Sequence, residues 1–265
     1  EICICRVSLV TVGVRWSVRS SRLALVIASL AWVAAGPQSI AKASDPADGN
    51  ISPNPWFLQA CSAQGASSSA CIRLTVAAID SARASEQMRQ YPLVLPDNFV
   101  TLTAAEQAFV VINLERVDRG LRPIVGLVSQ LDAAALPGAI RQSDPDPGTR
   151  LLRSLRVRSY RTLWGSSFGP LATDYDWMYD DGYSDGGDPN VDCQYTDSTG
   201  CWAHRNAILT SFVGQRLLLA GIAMADDAQG MESITAIITA GGGPRPRLVY
   251  SWAEALRDGA DAATG

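Results

Sequence analysis

The chain has 265 residues, of which 47% are hydrophobic and 18% are charged, and its formal net charge is −4. This composition is too apolar for a disordered polymer and predicts a globular protein with a substantial core. Residues 1–43 hold five basic residues and one acidic residue, so the rest of the chain has a net charge of −8, which argues against general attraction to nucleic acid. The single histidine, His204, excludes any site that needs two imidazoles.

The N-terminal segment has the features of an export signal. Arg15 and Arg22 precede an apolar run at 23–35, which has the length of a signal h-region and is short for a membrane span. The small-x-small pattern Ala-Lys-Ala follows at 41–43. We predict a signal peptide over 1–43, its first residues upstream of the true translation start, and a secreted, extracellular product. An uncleaved membrane anchor is the alternative.

Four cysteines follow this segment and form two local pairs. Cys61 and Cys71 are ten positions apart, and Cys193 and Cys201 are eight apart, each pair around a loop rich in Gly, Ser or Thr. In an oxidising compartment such pairs predict disulfides that close short loops. This pairing rests on proximity, since four cysteines allow three pairings. A zinc site is the weaker alternative, because neither pair has C-x-x-C spacing.

The first predicted elements are a linker and a helix. Residues 44–60 are rich in Asp, Pro, Asn and Gly, which predicts a linker or mobile tail. Apolar residues at helical spacing predict a helix of modest amphipathicity over 72–90, ended by Pro92 and Pro96.

The clearest local signal is a capped helix over 103–121. Thr103 and Glu106 have the spacing of a capping box, and apolar residues follow at helical intervals. A second helix is predicted over 127–135, ending before Pro137.

A basic run follows this helical half of the chain. We interpret it as the solvated face of a helix or strand whose arginines pair with nearby acids, and a binding patch is the alternative. Its members are Arg150, Arg153, Arg156, Arg158 and Arg161.

The end of the chain changes from helical spacing to strand composition. Residues 217–224 and 233–240 are rich in Leu, Ile and Thr and are joined by turn residues at 226–230, which predicts an antiparallel pair. Residues 248–252 are a candidate third strand. Helices first and strands last predict an α+β fold.

A serine hydrolase is one candidate function. Residues 165–169 match G-x-S-x-G, and Ser167 precedes His204 in the order of the α/β-hydrolases. However, the arginine-rich residues 156–161 do not predict the buried strand that should precede such a nucleophile, and the separation from His204 is short for that fold. A Gly/Ser loop is the structural alternative.

A cation site is a second candidate, because eight aspartates with hard oxygen ligands crowd into a short stretch. No EF-hand order is present, and we favour an exposed acidic loop closed by Cys193 and Cys201. The aspartates are Asp174, Asp176, Asp180, Asp181, Asp185, Asp188, Asp192 and Asp197.

A third constellation resembles a known family. Residues 113–116 read N-L-E-R and 120–123 read G-L-R-P, which is similar to the opening helix of the CAP superfamily of secreted SCP/PR-1-like proteins. Residues 177–180, W-M-Y-D, resemble the W-x-x-E/D segment of the family. Residues 201–209, C-W-A-H-R-N-A-I-L, resemble its bacterial G-H-R-x-N-I-L motif, and G-I-A at 221–223 stands where its G-V/I-G strand lies. The resemblance covers about residues 100 to 255.

The resemblance implies an α-β-α sandwich with a short antiparallel sheet between helices and a central cleft. Many family members carry two His and two Glu in that cleft, sometimes with a metal ion. His204 matches one His and Asp180 could replace one Glu, whereas the second His is absent and residues 164–165 stand near the expected Gly-Glu-Asn. The family metal site is therefore incomplete, and no cofactor is assigned beyond a possible divalent cation on His204 and Asp180.

The prediction is therefore a secreted, α+β, CAP-like domain over 99–258. It follows a linker and disulfide-looped helical extension over 44–98 and precedes a tail over 259–265. The expected function is non-enzymatic binding of a small or lipidic ligand, an envelope component or a protein. A serine hydrolase and an interaction scaffold without a working cleft are the alternatives. The candidate cleft residues are Asn113, Arg116, Trp177, Asp180, Asp181 and His204.

Overall fold

The computed structural model describes residues 50–181, 202–227 and 230–260. These residues form helices and a small antiparallel sheet, and a short 3-10 turn at Phe99–Thr101 precedes the third helix. The helices are α1 Leu58–Gln64, α2 Ser69–Ser85, α3 Ala104–Val117, α4 Ser129–Arg141, α5 Thr149–Ser154, α6 Pro170–Tyr179, α7 Ala203–Ile208 and α8 Trp252–Arg257. The strands are β1 Val157–Ser167, β2 Leu217–Asp226 and β3 Glu232–Gly241.

The segment before α1 is packed against α6. Phe57 is fully buried, the Ile51 amide donates to the Tyr179 carbonyl at 2.8 Å, and the Tyr175 hydroxyl donates to the Ile51 carbonyl at 2.7 Å. The expected linker or mobile tail is therefore wrong from residue 50 onward. The apolar Phe57 and the backbone bonds of Ile51 decide the outcome, because both need a partner in the core.

The predicted disulfide between Cys61 and Cys71 is confirmed and joins α1 to α2. The Ser68 side chain accepts from the Cys71 amide at 3.2 Å and caps the start of α2. The helix ends at Ser85, earlier than predicted, and Gln87 adopts a left-handed conformation with φ of 64°.

The capped helix is confirmed as α3. Thr103 accepts from the Glu106 amide at 3.3 Å, and the Glu106 carboxylate accepts from the Thr103 amide at 2.8 Å. Most residues of α3 are buried, including Asn113, Glu115 and Arg116. A helix enclosed on nearly all sides must provide partners for its polar side chains within the protein.

Helix α4 begins later and continues further than predicted, through Pro137 to Arg141. Pro137 removes a hydrogen bond to the carbonyl of Ala133, but both residues lie on the exposed face of the helix, where water can solvate that carbonyl. On the buried face, the Ser233 hydroxyl donates to the Ala139 carbonyl at 2.7 Å. The sheet therefore holds the helix together beyond the proline.

The predicted antiparallel pair is confirmed as β2 and β3, which pair from Leu217 with Gly241 to Asp226 with Glu232. The third strand is β1, so the sheet order is β1-β3-β2. The arginine-rich residues before Ser167 therefore form a strand whose first half is largely exposed, which agrees with the predicted solvated face of a helix or strand. As an edge strand, β1 tolerates exposed charges that a central strand would not.

The predicted third strand at 248–252 does not form. This segment makes long-range backbone bonds with Leu127 and an isolated antiparallel bridge between Ser251 and Gly126. Trp252 then begins α8 behind a capping box of Ser251 and Glu254. The outer edge of β2 is instead covered by the chain before α4, where the Val128 amide donates to the Ala220 carbonyl at 2.9 Å.

Helices cover both faces of the sheet. On one face, α4 packs Leu131 and Ala135 against Leu219 and Ile237. On the other face, the alternate strand residues join the core of α2, α3 and α6; they include Leu163, Leu218, Ile222, Ile234, Ala236 and Ile238. This is an α+β fold with a three-stranded antiparallel sheet between helices. No helix in the described ranges is long and apolar enough to span a membrane.

Several predictions fall outside the described residues. They are the signal peptide over 1–43, the Cys193–Cys201 disulfide, the tail after residue 260 and the aspartates Asp185, Asp188, Asp192 and Asp197.

We predict that Gly221→Ala destabilises the fold. A methyl group at this position would lie 2.1 Å from the backbone carbon of Leu131 and 2.5 Å from the Asp132 amide, and helix backbone cannot move aside as a flexible side chain can. We expect a loss of about 3 kcal/mol in the free energy of unfolding, measured with urea. Gly242→Ala is the control, since nothing lies within 4 Å of the added methyl group. Equal stability of the two variants would contradict the close approach of α4 to β2.

Candidate functional site

His204 lies in the first turn of α7 and is clamped by one carboxylate. Its Nδ1 lies 2.7 Å from Oδ1 of Asp181, and its backbone amide donates to Oδ2 of the same residue at 3.2 Å. The histidine side chain is 27% exposed, whereas that of Asp181 is 5% exposed. A carboxylate can only accept, so Nδ1 carries the proton and the neutral ring presents the Nε2 lone pair.

Trp177 forms the wall beside this imidazole. The two ring centroids are 6.2 Å apart with an interplanar angle of 32°. Trp177 is buried, and its Nε1 donates to the Trp164 carbonyl of β1 at 3.0 Å. Gly165 permits this contact, because a methyl group there would lie 2.6 Å from the indole nitrogen. The W-x-x-D segment thus positions an aromatic ring against the histidine.

Arg205, the residue after His204, begins a buried chain of alternating charges. Glu86 pairs with Arg205 at 2.8 Å and with Arg119 at 2.9 Å. Glu115 pairs with Arg119 and, at 2.9 Å, with Arg83. These charged side chains are almost completely buried, so their ion pairs fix α7 to α2 and α3.

Asp118 also belongs to this series of buried charges, and one tyrosine donates to it. Arg83 pairs with Asp118 at 2.7 Å, and the Tyr179 hydroxyl donates to Glu115 at 3.0 Å. We call these six charged residues the ion chain: Arg205, Glu86, Arg119, Glu115, Arg83 and Asp118.

The ion chain determines the charge states of its members. Burial alone would raise the pKa of Glu115, but the guanidiniums of Arg83 and Arg119 lower that pKa to about 2. Burial would conversely lower the pKa of Arg83, and the neighbouring Glu115 raises it above its usual value. Both groups therefore stay ionised.

Asn113 and Arg116, the two polar residues of the N-L-E-R motif, bind backbone and not a solvent-facing surface. Asn113 is fully buried; its side chain accepts from the Ile124 amide at 2.7 Å and donates to the Ile124 carbonyl at 3.1 Å. Arg116 donates to the carbonyls of Arg122, Ile208 and, at 3.0 Å, Thr210. These residues fix the loop after α3 and the end of α7.

Two aspartates of the acidic stretch lie on α6, where Asp174 is buried and Asp176 is half-buried. Asp174 and Asp176 are not in an exposed acidic loop, contrary to expectation. Burial raises the pKa of Asp176 to about 8, although a hydrogen bond from Ser167 partly lowers it. Burial also raises the pKa of Asp174, both of whose carboxyl oxygens lack a hydrogen-bond partner among the described residues.

The other carboxylate of the candidate site, Asp180, is bonded by the Asn50 side chain and not by His204. Burial, offset by Asn50 and reinforced by Asp181, raises the pKa of Asp180 to about 6. No group of three His, Cys, Asp or Glu side chains suited to a metal ion occurs within 50–181, 202–227 and 230–260. The two metal candidates, His204 and Asp180, therefore have different partners here.

The hydrolase candidate combines one fitting and one opposing feature. Ser167 ends β1 shortly before α6, which is the strand-to-helix context of a nucleophile. However, Ser167 is 4% exposed and hydrogen-bonded to Asp176, while the imidazole of His204 pairs with Asp181. Within the described residues no hydrogen bond joins Ser167 to His204.

Sequence reasoning missed the ion chain, although the signal was present. Glu115 and Arg119 are one helical turn apart among Phe109, Ile112 and Leu114 on a helix without a polar face. Charged residues distributed on all sides of such a helix indicate buried pairs. Their partners Arg83 and Glu86 stand too far away in sequence to be identified by spacing.

No protein-family model matches the chain. No curated protein is significantly similar to it.

We predict that Glu115→Gln lowers the stability of the protein, because Arg83 and Arg119 lose the negative charge with which both pair. Removing one partner of a buried pair leaves uncompensated charge, and we expect a loss of about 4 kcal/mol in chemical denaturation. Arg257→Gln is the control: its ion pair with Glu254 spans 3.9 Å at 67% exposure, and the expected change is below about 0.5 kcal/mol. A Glu115→Gln variant as stable as this control would show that the ion chain does not constrain the fold.

We predict that Asp176 makes the protein less stable as pH rises. The pKa of this carboxyl is raised from 3.8 to about 8 in the folded state, so its contribution to stability is fully present below pH 3.8 and is lost as pH rises to 8. Asp176→Asn should therefore lose less stability than wild type between pH 5 and 8.5 in thermal melts. The exposed Asp144→Asn is the control and should follow wild type; if Asp176→Asn also does, the buried acid is not the cause.

Proposed function

We propose that this chain is a secreted binding domain of CAP type that recognises a small or lipidic ligand at the exposed edge of His204. The observation that carries the proposal is the clamp on His204. One carboxylate binds both the ring and the backbone of a partly exposed imidazole, and Trp177 limits its tilt. A side chain held in one orientation at a surface loses little further entropy when it binds a ligand.

The contacts between the sequence motifs support the family part of the proposal. Arg116 of the N-L-E-R motif donates to the carbonyl of Ile208, in the segment that resembles G-H-R-x-N-I-L. Trp177 of the W-x-x-D segment packs on His204 of that same segment. Segments far apart in sequence therefore meet at one short helix, α7, which supports a shared site.

The hydrogen-bonding groups of His204 indicate the kind of ligand that it suits. Asp181 holds Nδ1, and Nε2 has no hydrogen-bond partner among the described residues. In the neutral ring Nε2 accepts a hydrogen bond, so it suits a hydroxyl or amide donor such as the polar end of a sterol. A fatty acid would instead require a charged ring to pair with its carboxylate.

Binding without catalysis fits the arrangement better than ester hydrolysis. A hydrolase needs its nucleophile within hydrogen-bond reach of the base, and the Ser167 hydroxyl is bonded to Asp176 in a buried position. The disulfide between Cys61 and Cys71 accords with an oxidising compartment.

We predict that the oxidised protein takes up fluorescent sterol or fatty-acid probes saturably, and that His204→Ala weakens this at least tenfold. Loss of one ligand hydrogen bond and of the ordered ring accounts for the effect. Asp181→Asn should give an intermediate loss, because the ring loses its charged partner but remains present. Fluorescence titration measures both, and Gln130→Ala, an exposed change on α4, should bind as wild type does.

Three results would overturn parts of the proposal. Absence of saturable uptake removes lipidic ligands. Labelling of Ser167 by a fluorophosphonate probe, lost in Ser167→Ala, would support the hydrolase instead. Metal that copurifies at one equivalent and is lost with His204→Ala would show a metal centre.

A further inference from the structure

Six exposed arginines of this acidic protein lie at one end of the sheet. The pairing of Val157 with Gly241 and of Gly241 with Leu217 brings the starts of β1 and β2 to the end of β3. The turn after β3 lies against the start of β1, since Gly243 contacts Arg156. We call this surface the arginine end: Arg153, Arg156, Arg158, Arg161, Arg216 and Arg245, all exposed.

These arginines are not neutralised within the described part of the chain. None of the six belongs to an ion pair there, contrary to the expectation that the basic run pairs with nearby acids. At the opposite end of the sheet, Asp226 pairs in register with Glu232, and Asp227 follows. Positive charge is thus concentrated at one end, although the net charge of the chain is −4.

One of these cations is already oriented. Arg161 donates to the Thr210 hydroxyl at 3.2 Å, and its guanidinium lies 5.9 Å from the centroid of the buried Phe212 ring. A guanidinium in a fixed position can bind a carboxylate or sulfate through two parallel hydrogen bonds with little further loss of entropy.

We infer that the arginine end binds an acidic polysaccharide. Arg161 lies over Phe212, in the core on one side of the sheet, whereas Arg153 is on α5, whose Leu151 and Leu155 pack on the other side. A flat bilayer reaches only one side of such an edge, whereas a flexible polymer can follow it around. Tyr160, 41% exposed, precedes Arg161 on the edge strand and offers a ring on which a sugar can lie. Among the described residues, no arginine of this surface bonds to His204, and the inference does not depend on the proposed function.

The test is binding of the full oxidised chain to heparin and to polygalacturonate by calorimetry. Arg158→Glu with Arg216→Glu should weaken binding at least tenfold and reduce its dependence on salt concentration. Arg73→Glu with Arg89→Glu, two exposed arginines on and after α2, changes the net charge equally and should weaken binding less than threefold. Arg153→Glu with Arg245→Glu repeats the test on other elements in case the first pair fails to fold.

Two further variants separate the explanations. Tyr160→Ala should weaken polysaccharide binding about threefold, and His204→Ala should leave it unchanged. If the double variants of the arginine end and the control double variant lost equal affinity, net charge would explain the binding and the inference would be overturned. Tighter binding to vesicles with 30% phosphatidylglycerol than to either polysaccharide, lost in the cluster variants, would overturn it in favour of a membrane.

Discussion

The chain of alternating buried charges is the constraint on which the helical layer depends. Arg205, Glu86, Arg119, Glu115, Arg83 and Asp118 follow one another across α2, α3 and α7 and the residues after them, so each charge lies between opposite charges or at the end of the series. Such pairs add little net stability compared with apolar packing, because desolvation offsets their attraction. What they fix is arrangement: a shift of any one of these helices by a turn would leave a charge buried without its partner.

The histidine site inherits its geometry from this constraint. Arg205 is held by Glu86 and also donates to the Met178 carbonyl at 2.9 Å, so α7 is bound to the end of α6. His204 precedes Arg205, and Asp181 follows α6 by two residues. The distance between the imidazole and its carboxylate is therefore set by the buried contacts of Arg205, the next residue of the short helix. The site is supported from the core, with little reliance on its own exposed groups.

Local sequence patterns predicted several helices and strands, whereas long-range packing determined the type or the bounds of the others. The capping box at Thr103 and the hairpin of β2 and β3 follow from adjacent residues, and both were predictable. For β1 the sequence left a helix or a strand open because arginines hide its alternation, and only its place at the sheet edge makes them acceptable. The extension of α4 through Pro137 depends on hydroxyls from β3. Around His204, the family resemblance selected Trp177 correctly as a neighbour, whereas the choice of Asp181 over Asp180 as partner required the end of α6 to be in place.

The sheet has one edge protected by backbone and one protected by charge. The segment before α4 pairs with the outer edge of β2, whereas the first half of β1 makes no backbone bond outward among the described residues. Open edges recruit strands from other molecules and begin fibrous assembly. Arg158 and Arg161 place like charges where a second copy of β1 would have to lie, so two copies would repel each other there. The same arginines therefore keep neighbouring molecules apart at high concentration, and their neutralisation exposes a template for intermolecular strand addition.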